Sequence, residues 1–475
     1  MAYNSLLTGH RKVLHERTAQ AIEELFSERL EDHLTELAHH FDRGGNVPKA
    51  VEYLGRAGDR ALQQMAHSEA VGYFTRALEL LPRLPEGTAR DCQELDLQMA
   101  LNLSLYFAIG LRGPGRELAL VRARELSEQL GDNDRLMEAL LALAQFRSNP
   151  RDFELARELV ERVLAMAQQA NAPAMLAGAH VALGVVRYNT GQFPAAREHL
   201  ERAVEIFGAG PSLNYRTYLL GAAQAAPNIL VSALVILGYP LTALGRAHEL
   251  LAAARRSSDP YSIANALVSE VVHHILLRDT RMVAERADEM RSIATEHGMA
   301  FPLFLATFER GWAMAAAGRG EEGFAEMRRS VSDPMFAESS VTPLLLITLA
   351  ESCGKNGRVD EGLDLVAKGL ATAEQTGQRV GEAELHRLRG DLLMIKDLGK
   401  VAEAERCLRT AIHVARRQDA RVFELRATVS LARLLKRQGS RAEARTMLAE
   451  IYGWFTEGFD TADLKDAKAL LDELR

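Results

Sequence analysis

Apolar residues along this chain recur at three and four in blocks of roughly 15 to 18 residues, the pattern of amphipathic helices. The blocks come in pairs with a glycine between them, and a small residue follows that glycine five positions later. The pairs are Gly191/Ala196, Gly238/Ala243, Gly318/Gly323, Gly357/Gly362, Gly399/Ala404 and Gly439/Ala444, with Arg151/Ala156 and Asp279/Ala284 filling the same slots without glycine. Successive steps are 40, 47, 41, 39, 39, 42 and 40 residues. A period of this kind marks a repeat array. Glycine takes positive φ without steric cost and suits the residue just past a helix end, a conformation Asp tolerates better than most. Each unit is therefore predicted as helix, tight turn, helix. The small residue falls in the first turn of the second helix, where a larger side chain would hold the two axes apart.

The array matches the tetratricopeptide pattern of apolar and small positions. Leu54, Ala57, Gly58 and Ala61 lead to Ala70, Phe74, Ala77 and Pro82; one register earlier, Leu34, Leu37, Ala38 and Phe41 lead to Ala50, Leu54 and Ala57, so the helix after Gly45 serves two hairpins. His180, Leu183 and Gly184 lead to Ala196, Leu200 and Ala203, and Leu346, Leu349 and Ala350 to Gly362, Val366 and Gly369. The predicted fold is all-α, a right-handed superhelical solenoid of tetratricopeptide-like helix hairpins with a period near forty. It divides into an opening helix (1–27), first hairpins (28–86), a degenerate hairpin (87–133, half of it within Arg112 to Gly131), regular repeats (134–455) and a C-terminal capping helix (456–475). The 47-residue step coincides with Gly208, Gly210, Pro211, Ser212 and Asn214, a longer loop. The apolar runs Ile229 to Leu237 and Val268 to Leu277 sit inside helical units rather than strands.

At 475 residues the chain exceeds an ordinary single core, a limit a solenoid escapes because each unit packs on its neighbours. A net charge of −7 argues against a nucleic-acid-binding surface. Arg255-Arg256, Arg328-Arg329 and Arg416-Arg417 fall in last turns of predicted helices, where cations complement the dipole. Three cysteines far apart, Cys92, Cys353 and Cys407, suggest a reducing compartment. No signal peptide or bilayer-spanning stretch is read, so a cytoplasmic protein with no membrane contact is expected.

Candidate chemistry dissolves into the repeat. Gly318, Gly320 and Gly323 spell G-x-G-x-x-G, yet they occupy the inter-helix turn, and Glu321 and Glu322 would repel a phosphate. Gly354-Lys355 and Gly399-Lys400 lack the Ser or Thr of a phosphate loop. His39-His40 and His273-His274 are adjacent, hence about 100° apart on a helix, and Glu36 with His40 reads as a surface pair lacking a third ligand. Glu321-Glu322 and Asp360-Glu361 belong at helix starts, where carboxylates favour the dipole and cap free amides. Tyr452, Trp454, Phe455 and Phe459 either anchor a partner or pack the last hairpin against the following helix, whose Leu464, Ala467, Leu470 and Leu471 share a face; the second reading is preferred. No catalytic, cofactor-binding or metal-binding residue is assigned.

Ala2-Tyr3-Asn4-Ser5-Leu6-Leu7, Leu14-His15-Glu16-Arg17, Leu37-Ala38-His39-His40 and Gly45-Asn46 with Lys49-Ala50-Val51-Glu52-Tyr53-Leu54 resemble the start of the helical region of bacterial multidomain signal-transducing P-loop ATPases of the AAA-like kind, associated with adenylate or guanylate cyclase domains. Ile451-Tyr452-Gly453-Trp454-Phe455-Thr456-Glu457-Gly458-Phe459-Asp460-Thr461 with Asp463-Leu464 resembles the same family's C-terminus. The resemblance spans essentially the whole chain, and the end motif is its most specific part. It implies the order cyclase, ATPase, winged helix, repeats, with residues 1–27 a remnant of the winged-helix end. Nothing here matches the cyclase's metal-binding aspartates or the ATPase's phosphate loop, so neither activity is implied. What is implied is a non-enzymatic scaffold or sensor arm holding a protein partner, an ATPase or cyclase module among the candidates, on its concave face. The alternative is a small-molecule effector sensor with a pocket between repeats, which the 6% aromatic content weakly disfavours.

Overall fold

The computed structural model describes residues 8–64, 66–109, 113–147, 153–209, 217–332 and 342–475, excluding the side chains at 8, 209 and 217–224. Tyr3 to Leu7, Arg112, Arg151, Gly210, Pro211, Ser212 and Asn214 lie outside the described residues. Among the described residues there are α-helices and short 3-10 turns and no strand. The chain divides into two compact units, Met1–Ser148 with Glu158–Met175, and Asn149–Arg157 with Leu176–Arg475.

Glycine marks the turns as the spacing predicts. Gly191, Gly238, Gly318, Gly357 and Gly439 have φ between +74° and +96°. Two slots differ. Arg278 rather than Asp279 takes the positive φ, at +59°, and Asp279 instead caps the next helix by accepting from the Met282 amide at 3.1 Å. Gly399 lies in a 3-10 turn, its amide donating to Asp397 Oδ1 at 2.7 Å. Close packing explains the small residues: a Cβ on Gly323 would lie 2.3 Å from the Gly311 carbonyl, and one on Gly184 2.6 Å from Leu200.

In the first unit, α1 (Thr8–Leu25), α2 (Leu34–Gly44), α3 (Val47–Gln63), α4 (His67–Leu80), α5 (Thr88–Ile109), α6 (Arg116–Leu130) and α7 (Asn133–Phe146) pack each on the next. Helix α3 touches both α2 and α4, so it serves two hairpins as its sequence suggests. The next two helices are α8 (Phe153–Gln169) and α9 (Pro173–Asn189).

The second unit continues with α10 (Phe193–Ala209), α11 (Thr217–Leu237), α12 (Pro240–Ser257), α13 (Pro260–Leu276), α14 (Thr280–Glu296), α15 (Ala300–Ala316) and α16 (Gly320–Val331). It ends with α17 (Thr342–Lys355), α18 (Val359–Thr376), α19 (Glu382–Lys396), α20 (Val401–Arg417), α21 (Arg421–Arg437), α22 (Arg441–Tyr452) and α23 (Ala462–Glu473). Helices α11, α13, α15, α17, α19 and α21 form an inner row, each touching the next, and α21 touches α11 in turn. The row is closed. One buried apolar cluster accordingly joins Leu234 and Ile236 of α11 to Phe423 and Leu431 of α21. Inner helices are buried nearly all round, as Val422 through Val429 without a gap illustrate. That is why the apolar runs Ile229 to Leu237 and Val268 to Leu276 belong to helices.

Candidate interaction surface

An open inner groove is what a solenoid offers a partner, yet in the second unit the chain's own distant repeats occupy that face. Charged side chains from five elements meet there. On α19, Glu384, Arg387 and Asp391 share one helix face by their spacing of three and four. Arg387 binds Glu384 through two parallel contacts of 2.9 and 3.1 Å and reaches Asp391 at 2.7 Å. Arg426 on α21 donates to Asp463 at 2.9 and 2.7 Å, to Glu384 at 3.3 Å and to the Leu276 carbonyl at the end of α13. Ser430, one turn on, donates to Asp391 at 3.0 Å. Arg278 pairs with Glu351 of α17 at 3.2 Å and with Asp463 at 3.5 Å, and Lys355 adds a contact to Glu351 at 3.1 Å.

Arg278, Lys355, Arg387 and Arg426 thus face Glu351, Glu384, Asp391 and Asp463, four charges of each sign. Burial alone would raise Glu351 and Asp463, but Arg278 and Arg426 outweigh it and hold both carboxyls below the usual range. For Asp391 burial wins, and its value is raised despite Arg387. A cavity of about 30 Å³ lies beside the network, walled by Trp312, Thr348, Phe423, Arg278 and Glu351. It has room for water rather than for a metabolite. A smaller space next to it is lined by Glu309, which is fully buried with both carboxylate oxygens unpartnered, so burial pushes its value well up.

Three further contacts close the ring at hairpin tips. The Arg379 amide donates to the Asn189 carbonyl at 2.7 Å, while Gln418 Nε2 donates to the Arg379 carbonyl at 2.9 Å. Gly191 sits under that group, where a Cβ would lie 2.3 Å from Gln418 Nε2. Trp454 packs edge-on against Tyr239 at 5.8 Å and under Arg421 at 5.2 Å, and a Cβ on Gly238 would lie 2.5 Å from its ring. Glu457 then accepts from the Leu241 and Thr242 amides at 2.8 and 3.0 Å and from the Thr242 hydroxyl at 3.0 Å. Helix α12 begins with Pro240 and has no side-chain cap of its own, so a carboxylate more than 200 residues away satisfies its first amides.

Several readings from sequence shift accordingly. The aromatic cluster does pack, but Trp454 and the buried Phe455 reach the α11–α12 turn, while Tyr452 and Phe459 meet at 5.9 Å. The arginine pairs sit in last turns as expected, and they also stitch successive hairpins: Arg255 to Glu289 at 2.6 Å, Arg328 to Glu361 at 3.0 Å and Arg416 to Glu424 at 2.6 Å. Glu321-Glu322 and Asp360-Glu361 lie in first turns without capping them. Gly318 and Gly320 form the α15–α16 turn. Glu36 pairs with His33 at 2.7 Å rather than with His40, whose ring nitrogen instead meets His15 at 2.9 Å. His273 is fully buried and unpartnered, lowered to about 3 chiefly by burial. The ionic network itself escaped the sequence reading. Its only signal was charge inside apolar runs, as with Arg426 between Val422 and Leu435.

These features define a class: an all-α array of tetratricopeptide-like helix hairpins. No family model matches the chain. It is 24% identical over 443 residues to an uncharacterized protein of Rhizobium meliloti (strain 1021), covering 91% of this chain and 42% of that protein. The chain thus spans about two-fifths of the length of that relative. Among solved structures, the apo form of RapI aligns with a TM-score of 0.47 at 13% identity, over 59% of this chain and 96% of that one. A signal transduction ATPase with a tetratricopeptide repeat sensor from Pyrococcus horikoshii aligns at 0.41 and 13% identity, over 80% and 54%. With scores below 0.5, neither likeness bears on fold or function, which rest on the helices and contacts above. Among the described residues no helix is long and apolar enough to cross a membrane.

Proposed function

We propose that this chain is a non-enzymatic protein-interaction arm of a bacterial signalling system, cytoplasmic and tied to a P-loop ATPase or cyclase module. The observation that carries it is the inner face of the second unit, which gathers charged side chains from α17, α19, α21, α23 and the α13–α14 turn. A repeat array dressed with fixed charges on its inner face is suited to recognising a polypeptide through specific polar pairs. The likeness of both chain ends to cyclase-associated ATPases supports the choice of module. So does the match to part of a much longer relative, more than half of which lies outside it. The small cavity beside Trp312 favours this reading over a metabolite pocket.

Affinity capture with the chain as bait in its native cell, followed by mass spectrometry, tests the proposal. A stoichiometric partner carrying a P-loop or cyclase domain is the expected result. Recovery of no protein, together with a large rise in melting temperature on adding one metabolite, would replace it with effector sensing.

A further inference from the structure

We infer that the contacts closing the second unit form a reversible clasp, in which the Trp454–Gly458 segment seated on the α11–α12 turn holds the inner face shut. The inference rests on the proposed inner-face reading, because a partner can reach those charges only when the ring is open. Two kinds of interface hold this unit together, and they differ in chemistry. Within hairpins, backbones meet directly, as at Gly311 and Gly323. Across the seam, the apolar cluster between α11 and α21 is joined by polar contacts, Glu457 on α12 and Arg379 on Asn189 at hairpin tips and Arg426 on the Leu276 carbonyl.

The seam is also incompletely satisfied. Asn189 Oδ1 and Gln418 Oε1 are buried without a hydrogen bond. Opening returns these groups to water and so recovers part of what separating α11 from α21 costs. Fit at the clasp is steric as well as polar, with Gly238 facing Trp454 and Gly458 facing Pro240 at distances no side chain tolerates. Such a joint is either seated or released, which is what a two-state element requires. A partner that selects the open ring then binds with an affinity reduced by the fraction closed, so the clasp sets the threshold for binding.

Three amides report the seam directly: Leu241 and Thr242, which donate to Glu457, and Arg379, which donates to Asn189. In native-state hydrogen exchange of the whole chain they are expected to exchange together, about tenfold or more faster than interior amides of α15. Glu457→Gln is expected to speed Arg379 along with the other two, leaving α15 and α16 unchanged. Exchange of the three amides only through global unfolding, or an Arg379 rate indifferent to Glu457→Gln, overturns the clasp. The wild-type measurement decides even if a variant misfolds. It needs no partner, so a moving seam with no captured protein would leave the clasp standing and remove only the binding role.

Discussion

Glu309 illustrates how one side chain sets a pH dependence. Its carboxyl is fully buried without a partner and holds its proton well above the ordinary value near 4.5. Unfolding frees it to ionise, so its contribution favours the folded state below that value and is lost as pH rises above it. Glu309→Gln is therefore expected to melt higher than wild type at pH 7 and no higher at pH 4, as followed by circular dichroism. Gly238 shows the opposite kind of constraint. With φ of +96° and Trp454 2.5 Å from any Cβ, Gly238→Ala should cost about 1–3 kcal/mol in denaturant melts. Gly439→Ala, at similar φ with open space around it, should cost less, about 1 kcal/mol. Equal losses at the two positions would mean that backbone conformation, and not the clasp, determines Gly238.

At the scale of elements, Arg426 is the buried cation that ties α21 both to the inner row and to the last helix. Arg426 is buried against Asp463 and Glu384, both themselves buried. Arg426→Met leaves two carboxylates without that cation and is expected to destabilise the second unit by about 3–5 kcal/mol. Arg426→Met with Asp463→Leu should recover much of that loss in a double-mutant melt, since paired apolar replacement removes the stranded charge. The exposed stitch between Arg328 and Glu361 belongs to another regime, and Arg328→Ala should change stability by about 1 kcal/mol at most.

For the molecule as a whole, acid is expected to act on the second unit. Glu351 and Asp463 are held below their ordinary values, so their stabilisation is present above pH about 4 and is lost as pH falls. His273, lowered to about 3 from 6.5, adds a loss in the same direction between those values. Trp312 walls the cavity and Trp454 sits in the clasp, and they are the chain's two tryptophans. With Trp312→Phe, emission from Trp454 should shift to the red on acidification before helical ellipticity is lost. A shift that coincides with loss of helix would instead make clasp and hairpins one cooperative block.

The period near forty, the turn glycines and the small residues at Ala196, Ala243 and Gly323 were legible in the chain because each answers to local geometry: a positive φ, or two helices meeting within one hairpin. Sequence by itself therefore determined an all-α array of helix hairpins. It left unread that Gly191 and Gly238 also make room for Gln418 and Trp454, and that Glu457 caps a helix more than 200 residues back. Nor did it reveal that charges scattered from Arg278 to Asp463 neutralise one another. Closure depends on small rotations summed over successive hairpins, and no short-range spacing encodes that sum. Only the tertiary structure decided that the inner face meets itself.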